Sequence, residues 1–165
     1  SETAAGSQAL IALAAARAAS ADGTHRQVTA AAQRALEGVR LLAYLDTLEY
    51  VWRSGRVPRV AVWATSILRM KPVMEFSRGA VGSIARPRSR PKAMERILSE
   101  MARDVGALPV HVIVMHADAP DEAEELHARI ERDFNTVELF VSQFAPFMGA
   151  HTGPGLVGVS FWAER

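Results

Sequence analysis

Residues Ala4 to Ala21 are almost all alanine, leucine and isoleucine, broken chiefly by Gln8 and Arg17. A helix here is apolar nearly all round and expects cover on more than one side. Asp22-Gly23 supplies a stop, and Thr24 with Gln27 three residues later resembles a capping box that opens a second helix running to about Glu37. Leu41 to Leu45 is a short apolar run suited to a buried strand. Leu48, Tyr50, Val51 and Trp52 give the next stretch an apolar helical side, closed by Ser54-Gly55. Pro58 starts a further helix carrying Trp63, Ile67 and Leu68, which leaves Gly55 and Arg56 at a corner. Trp52 and Trp63 are expected to pack in the core. Pro72–Phe76 and Ala80–Ala85, joined by Ser77-Arg78-Gly79, read as a hairpin, and Arg86 to Pro91 as a basic, proline-punctuated loop. Met94, Ile97, Leu98 and Met101 predict a helix over Lys92–Val105, followed by a strand at Val110–Met115. Asp121 to Phe134, acidic in its first turn, predicts a helix, and Val137–Val141 a strand. The alternation from residue 39 onward argues an α/β class with a mixed sheet layered with helices.

Composition narrows the options. At 165 residues, 49% hydrophobic and 22% charged, the chain has the make-up of a folded soluble domain with a sizeable core. It has no cysteine, which excludes disulfide scaffolds, thiolate zinc sites and cysteine nucleophiles and permits a cytoplasmic address. The longest apolar run, Ala9 to Ala16, falls far short of the roughly 18–20 residues that span a bilayer, so stable membrane insertion is not expected. Net charge is +1, but Arg53 to Arg96 holds eleven of the nineteen basic residues against only Glu75 and Glu95. Two readings of that block stand: a surface for phosphate, carboxylate or an acidic protein, or arginines spread over solvated faces.

The densest special composition is Gly149 to Gly158, with four glycines, a proline, His151 and Thr152. Glycine-rich backbone lets peptide N–H groups approach an anion closely. Gly153-x-Gly155-x-x-Gly158 matches a dinucleotide fingerprint, but seven residues after it cannot build the βαβ unit that gives the pattern meaning. What survives is a glycine turn presenting His151 and Thr152, either to a ligand head group or to a neighbouring loop. His111 and His116 lie five apart on one predicted strand and point to opposite faces, so they cannot share a metal, and none is assigned. His25 and His127 fall on helix surfaces. No serine sits in a Gly-x-Ser-x-Gly elbow, and spacing gives no warrant for bringing Asp46 or Glu49 to His151. The basic block lacks interleaved exposed aromatics, which argues against nucleic acid as a partner. Phe144, Phe147 and Met148 before the glycine turn, and Met70, Met74 and Phe76 around Lys71-Pro72, are either core or the lining of an apolar pocket.

Three stretches read together resemble the DegV family of fatty-acid-binding proteins. They are Leu45-Asp46-Thr47-Leu48-Glu49-Tyr50 leading to Ser54-Gly55-Arg56-Val57, then Leu68-Arg69-Met70-Lys71-Pro72-Val73, and His151-Thr152-Gly153-Pro154-Gly155. Their order and spacing agree with the family's Asp-x-Leu-x-Tyr-Leu helix ending in Gly-Gly-Arg-Ile, its Lys-Pro-Ile/Val segment and its His-Thr-Gly-Pro-Gly turn. Ser54 replaces the first glycine of the corner, Val57 replaces isoleucine, and Arg69 stands where a neutral residue is more usual. The resemblance covers essentially the whole chain. It implies that a further N-terminal segment, ending in a strand that closes with Asp-Ser, precedes Ser1. Residues 1–38 are then the helical remainder of an incomplete N-terminal α/β domain, and 39–165 the C-terminal α/β lipid-binding domain.

What the resemblance implies about function is a non-catalytic carrier with no cofactor, whose ligand is a buried long-chain fatty acid presented to a fatty acid kinase partner that makes an acyl phosphate. His151 and Thr152 are then expected to bind the carboxyl group, with Arg56 assisting, while Met70, Phe144, Phe147 and Met148 line the acyl pocket. The alternatives are an enzyme acting on a small carboxylate or phosphate with His151 as acid or base, and a structural domain that binds nothing.

Overall fold

The computed structural model describes residues 2–55, 70–77 and 79–164. The expected helix after Pro58, with Trp63, Ile67 and Leu68, and the corner residue Arg56 lie outside the described residues. Six strands form one mixed sheet in the order β3-β2-β1-β6-β4-β5, made of β1 (Arg40–Tyr44), β2 (Val73–Ser77), β3 (Ala80–Ala85), β4 (Val110–Ala117), β5 (Thr136–Gln143) and β6 (Leu156–Ala163). All neighbours are antiparallel except β4 and β5, which are parallel and connected through helix α5 (Pro120–Asp133).

Side chains alternate across a strand, and that alternation sorts the core into two layers. Leu42, Tyr44, Val112, Val114, Val159 and Phe161 meet α4 (Arg90–Val105) and α5 on one face, packing with Met94, Ile97, Met101, Leu126 and Ile130. Leu41, Ala43, Leu45, Met74, Ile113 and Met115 face the other way, against Leu10 of α1 (Gly6–Ser20), Leu48 and Val51 near α3 (Glu49–Arg53), and Phe144. Helix α6 (Pro146–Thr152) lies on this second face beside α3.

The apolar first helix finds cover from the sheet and from α2 (His25–Gly38). Gly6 sits so close to the sheet that a Cβ there would come within 2.9 Å of Met115 Sδ, and Ser7 Oγ lies 3.1 Å from Ser160 Oγ. Helix α2 opens with the expected capping box: Thr24 accepts from the Gln27 backbone N–H, and the Gln27 side chain accepts from that of Thr24. The hairpin of β2 and β3 forms as read. Helix α4 begins two residues earlier than predicted, because proline in a first turn costs no hydrogen bond.

Three expectations are corrected. Residues 156–163, of which 156–158 were read as the end of a glycine turn and the rest given no element, form β6 near the middle of the sheet. His151 and Thr152 are the last two residues of α6 rather than part of a turn, since Pro146 starts a short helix that runs to Gly153. Trp52 is 52% exposed, because α3 turns Leu48 and Val51 inward instead. Among the described residues no helix is long and apolar enough to cross a membrane.

Candidate functional site

The segment leaving β1 and the helix α6 enclose an apolar cavity of about 260 Å³. The Thr47 hydroxyl accepts from the Glu49 N–H and starts α3, while Ser54 Oγ donates to the Val51 carbonyl and closes it. Leu48 and Val51, one helical turn apart, thereby face the cavity together. Met74 and Phe76 come from one face of β2, Val81 from β3, and Leu45 from the end of β1. From α6 come Phe147, Met148, His151 and Thr152, which bring the only ionisable side chain among the described lining residues.

Of the expected head-group residues, the structure therefore brings His151 and Thr152 to the same wall. The His151 ring is partly buried and meets Phe147 edge-on, with centroids 6.4 Å apart. Thr152 is buried, and its hydroxyl donates to the Met148 carbonyl at 2.9 Å. It offers a carboxylate a donor only by giving up that bond. Arg56 lies outside the described residues. Of the expected apolar residues, Phe147 and Met148 line this cavity. Phe144 is buried against the second-face core and lines a neighbouring cavity of about 630 Å³, to which Phe147 and Met148 also contribute. Met70 is not among the described residues lining either one.

The glycines pack against a neighbouring segment, the second of the two readings of the turn. The Gly153 N–H donates to the Gly149 carbonyl at 2.7 Å and the Gly155 N–H to that of Ala117 at 2.8 Å, so neither faces a ligand. Both have φ near +80°, and both are tightly packed. A Cβ on Gly153 would fall 2.3 Å from the Tyr50 ring, and one on Gly155 would fall 2.8 Å from Asp46 Cβ. The turn after His151 thus rests on the segment after β1.

That segment is tied down by a charge network to which the sequence reading gave no role. Lys71 Nζ donates to Asp46 Oδ1 at 2.7 Å and to its carbonyl at 3.0 Å, and Arg90 Nε donates to the same Oδ1 at 2.9 Å. Arg90 also pairs with Glu122. Burial works to raise the Asp46 pKa, but the hydrogen bonds from Lys71 and Arg90 outweigh it and hold the carboxyl below its usual range. Glu49 pairs with Arg53. Neither Asp46 nor Glu49 is hydrogen-bonded to His151. The basic block is thus partly spent inside the molecule, through Arg53, Lys71, Arg90 and Arg96, the last paired with Glu100. Arg86 and Arg88 are exposed residues of the loop between β3 and α4.

Two of the remaining histidines make structural contacts. His111 is buried, stacks on Trp162 with centroids 4.8 Å apart, and bonds Glu138 and Glu164 at 2.7 and 2.9 Å. His116 points to the opposite face, where its Nδ1 accepts from the Ala119 N–H. Among the described residues no group of three or more His, Asp or Glu side chains is arranged so that it could hold a metal ion.

A six-stranded mixed sheet with paired helices on one face and an apolar cavity beside α6 on the other defines an α/β domain of known kind. The family model described as "Uncharacterised protein, DegV family" matches residues 1–164, and the chain belongs to that family. A DegV domain-containing protein of Streptomyces coelicolor is 39% identical over 150 residues, covering 90% of this chain and 53% of the relative. A DegV family protein of Thermus thermophilus, described in terms of its fatty acid binding, superposes with a TM-score of 0.87 at 22% identity, over 96% of this chain and 57% of that one. DegV of Bacillus subtilis, described as a fatty acid binding protein, does so with a TM-score of 0.79 at 25% identity, over 96% of this chain and 57% of that one. The chain spans about half the length of the relatives it matches.

Proposed function

We propose that the chain binds a long-chain fatty acid without chemical conversion, its carboxyl group at His151 and Thr152 and its tail in the apolar cavity. The observation that carries this reading is the cavity itself: an aliphatic and aromatic wall with His151 as the one ionisable group in its described lining. A buried carboxylate costs several kcal/mol unless it gains strong donors, and a histidine at the wall supplies one. Each buried methylene contributes about 0.8 kcal/mol, so the tail supplies affinity and the head group orientation. The descriptions of the B. subtilis and T. thermophilus relatives support the same ligand class.

In this reading residues 1–38 are the helical remainder of an N-terminal α/β domain and residues 39–165 the lipid-binding domain. Arg56 assists at the head group. The test is titration with a long-chain fatty acid and with its methyl ester. The acid is expected to bind at least about tenfold more tightly, the value of a charge-assisted hydrogen bond, and equal affinities would overturn the head-group assignment.

A fatty acid kinase in the cytoplasm is the partner we infer, and the exposed Arg86 and Arg88 are its docking residues. Reversing both charges is expected to weaken the complex by about tenfold, more strongly at low salt. An unchanged affinity would remove the loop from the interface.

A further inference from the structure

His151 lies at the end of a helix of seven residues, too short to hold its own place. What fixes it is the turn that follows and the surface on which that turn rests. Gly155 packs against Asp46 and Arg90: a Cβ there would fall 2.8 Å from Asp46 Cβ and 3.3 Å from an Arg90 guanidinium nitrogen. Gly153 packs in the same way on the ring of Tyr50, in the helix that follows Asp46. The end of α6 is therefore seated on the segment that Asp46 anchors.

That anchor ties the segment to the main body of the fold. Asp46 Oδ1 accepts from Lys71 Nζ and from Arg90 Nε. The Lys71 N–H donates to the Pro87 carbonyl at 2.8 Å, and the Leu45 N–H to the Pro72 carbonyl at 3.1 Å. Arg90 is the first residue of α4 and pairs with Glu122 of α5. One partly buried carboxylate thus joins the end of β1, the residues entering β2, α4 and, through Arg90, α5. Asp46 is not among the described lining residues of the cavity, so it acts on a bound ligand through what it holds.

We propose that Asp46 is a positioning residue for the head group: by seating the turn of Gly153 and Gly155 it places His151 at the cavity wall. The inference rests on the fatty-acid reading above. Leu45 and Leu48, on either side of Asp46, also line the cavity. A shift of these two side chains is felt by any ligand with an acyl tail, whereas a shift of His151 is felt by one with a carboxylate.

The experiment measures the affinities of a long-chain fatty acid and of its methyl ester for the wild-type chain, Asp46→Asn, His151→Ala and the double variant. Asparagine keeps the shape and an acceptor but removes the charge that pairs with Lys71 and Arg90. Asp46→Asn is expected to weaken binding of the acid by about fivefold and of the ester by less than about twofold. In the His151→Ala background the same substitution should change the affinity for the acid by less than about twofold, the non-additivity of residues that act as one unit. Lys71→Gln, which leaves Arg90 on Asp46, should show a smaller loss of the same selectivity and stands in if Asp46→Asn folds poorly. Equal losses for acid and ester, or losses that add in the double variant, would overturn the positioning role while leaving the fatty-acid reading in place. A wild-type chain that binds neither compound would instead remove that reading and the inference with it.

Discussion

Phe161→Ala is expected to lower the unfolding free energy by about 3–5 kcal/mol, a large share of the roughly 5–15 kcal/mol that holds a domain together. Phe161 is fully buried in β6, paired with Arg40 of β1 on one side and Val112 of β4 on the other. Its ring joins the layer formed with α4 and α5. Truncation leaves a cavity at a place where three strands and two helices meet, with little room to collapse. A urea titration should show the midpoint falling with little change of slope. A loss below about 1 kcal/mol would mean that β6 is not the central strand described here.

This strand is also where the sequence was hardest to read. Val157, Val159 and Phe161 alternate with Gly158, Ser160 and Trp162, the two-residue period of a strand. The glycines dominate the same stretch and read as a turn. Gly158 is needed because its backbone faces Ala43, where a Cβ would come within 2.9 Å of the Ala43 Cβ. Close approach between strands and a flexible turn call for the same residue. Elements whose signals are local were legible: the Thr24–Gln27 box, the hairpin of β2 and β3, and the periodic apolar faces of α4 and α5. His151, Phe147 and Met148 reach one cavity wall because a single short helix carries all three, a helix that the glycine-rich sequence disguised as a turn. The anchor of Asp46 was not, because Lys71 lies 25 residues away and Arg90 lies 44 away. Pairing at that separation leaves no mark on a local pattern. Trp52 misled for the opposite reason, since in a five-residue helix one apolar side does not decide which side is buried.

His151→Ala is expected to have the largest effect on binding. The imidazole is the ionisable group in the described wall of the cavity, and the Thr152 hydroxyl contributes only by giving up its bond to the Met148 carbonyl. Its loss should weaken fatty acid binding by roughly ten- to a hundredfold, the equivalent of about 1.5–3 kcal/mol for a hydrogen bond to a charged group. Stability should change little, because His151 sits partly buried at the end of a short helix and bonds no other side chain among those described. Affinity for the methyl ester, which lacks the charge, should fall much less. An equal loss for acid and ester would show that His151 shapes the cavity rather than holding the carboxyl group.

The most direct test of the central claim is native mass spectrometry with lipid extraction. It is applied to this chain and to a form lengthened to the span of its relatives, each as purified and after incubation with a long-chain fatty acid. One fatty acid per chain is expected, with occupancy sharply reduced by His151→Ala. A fatty acid absent from both forms under both conditions would contradict it.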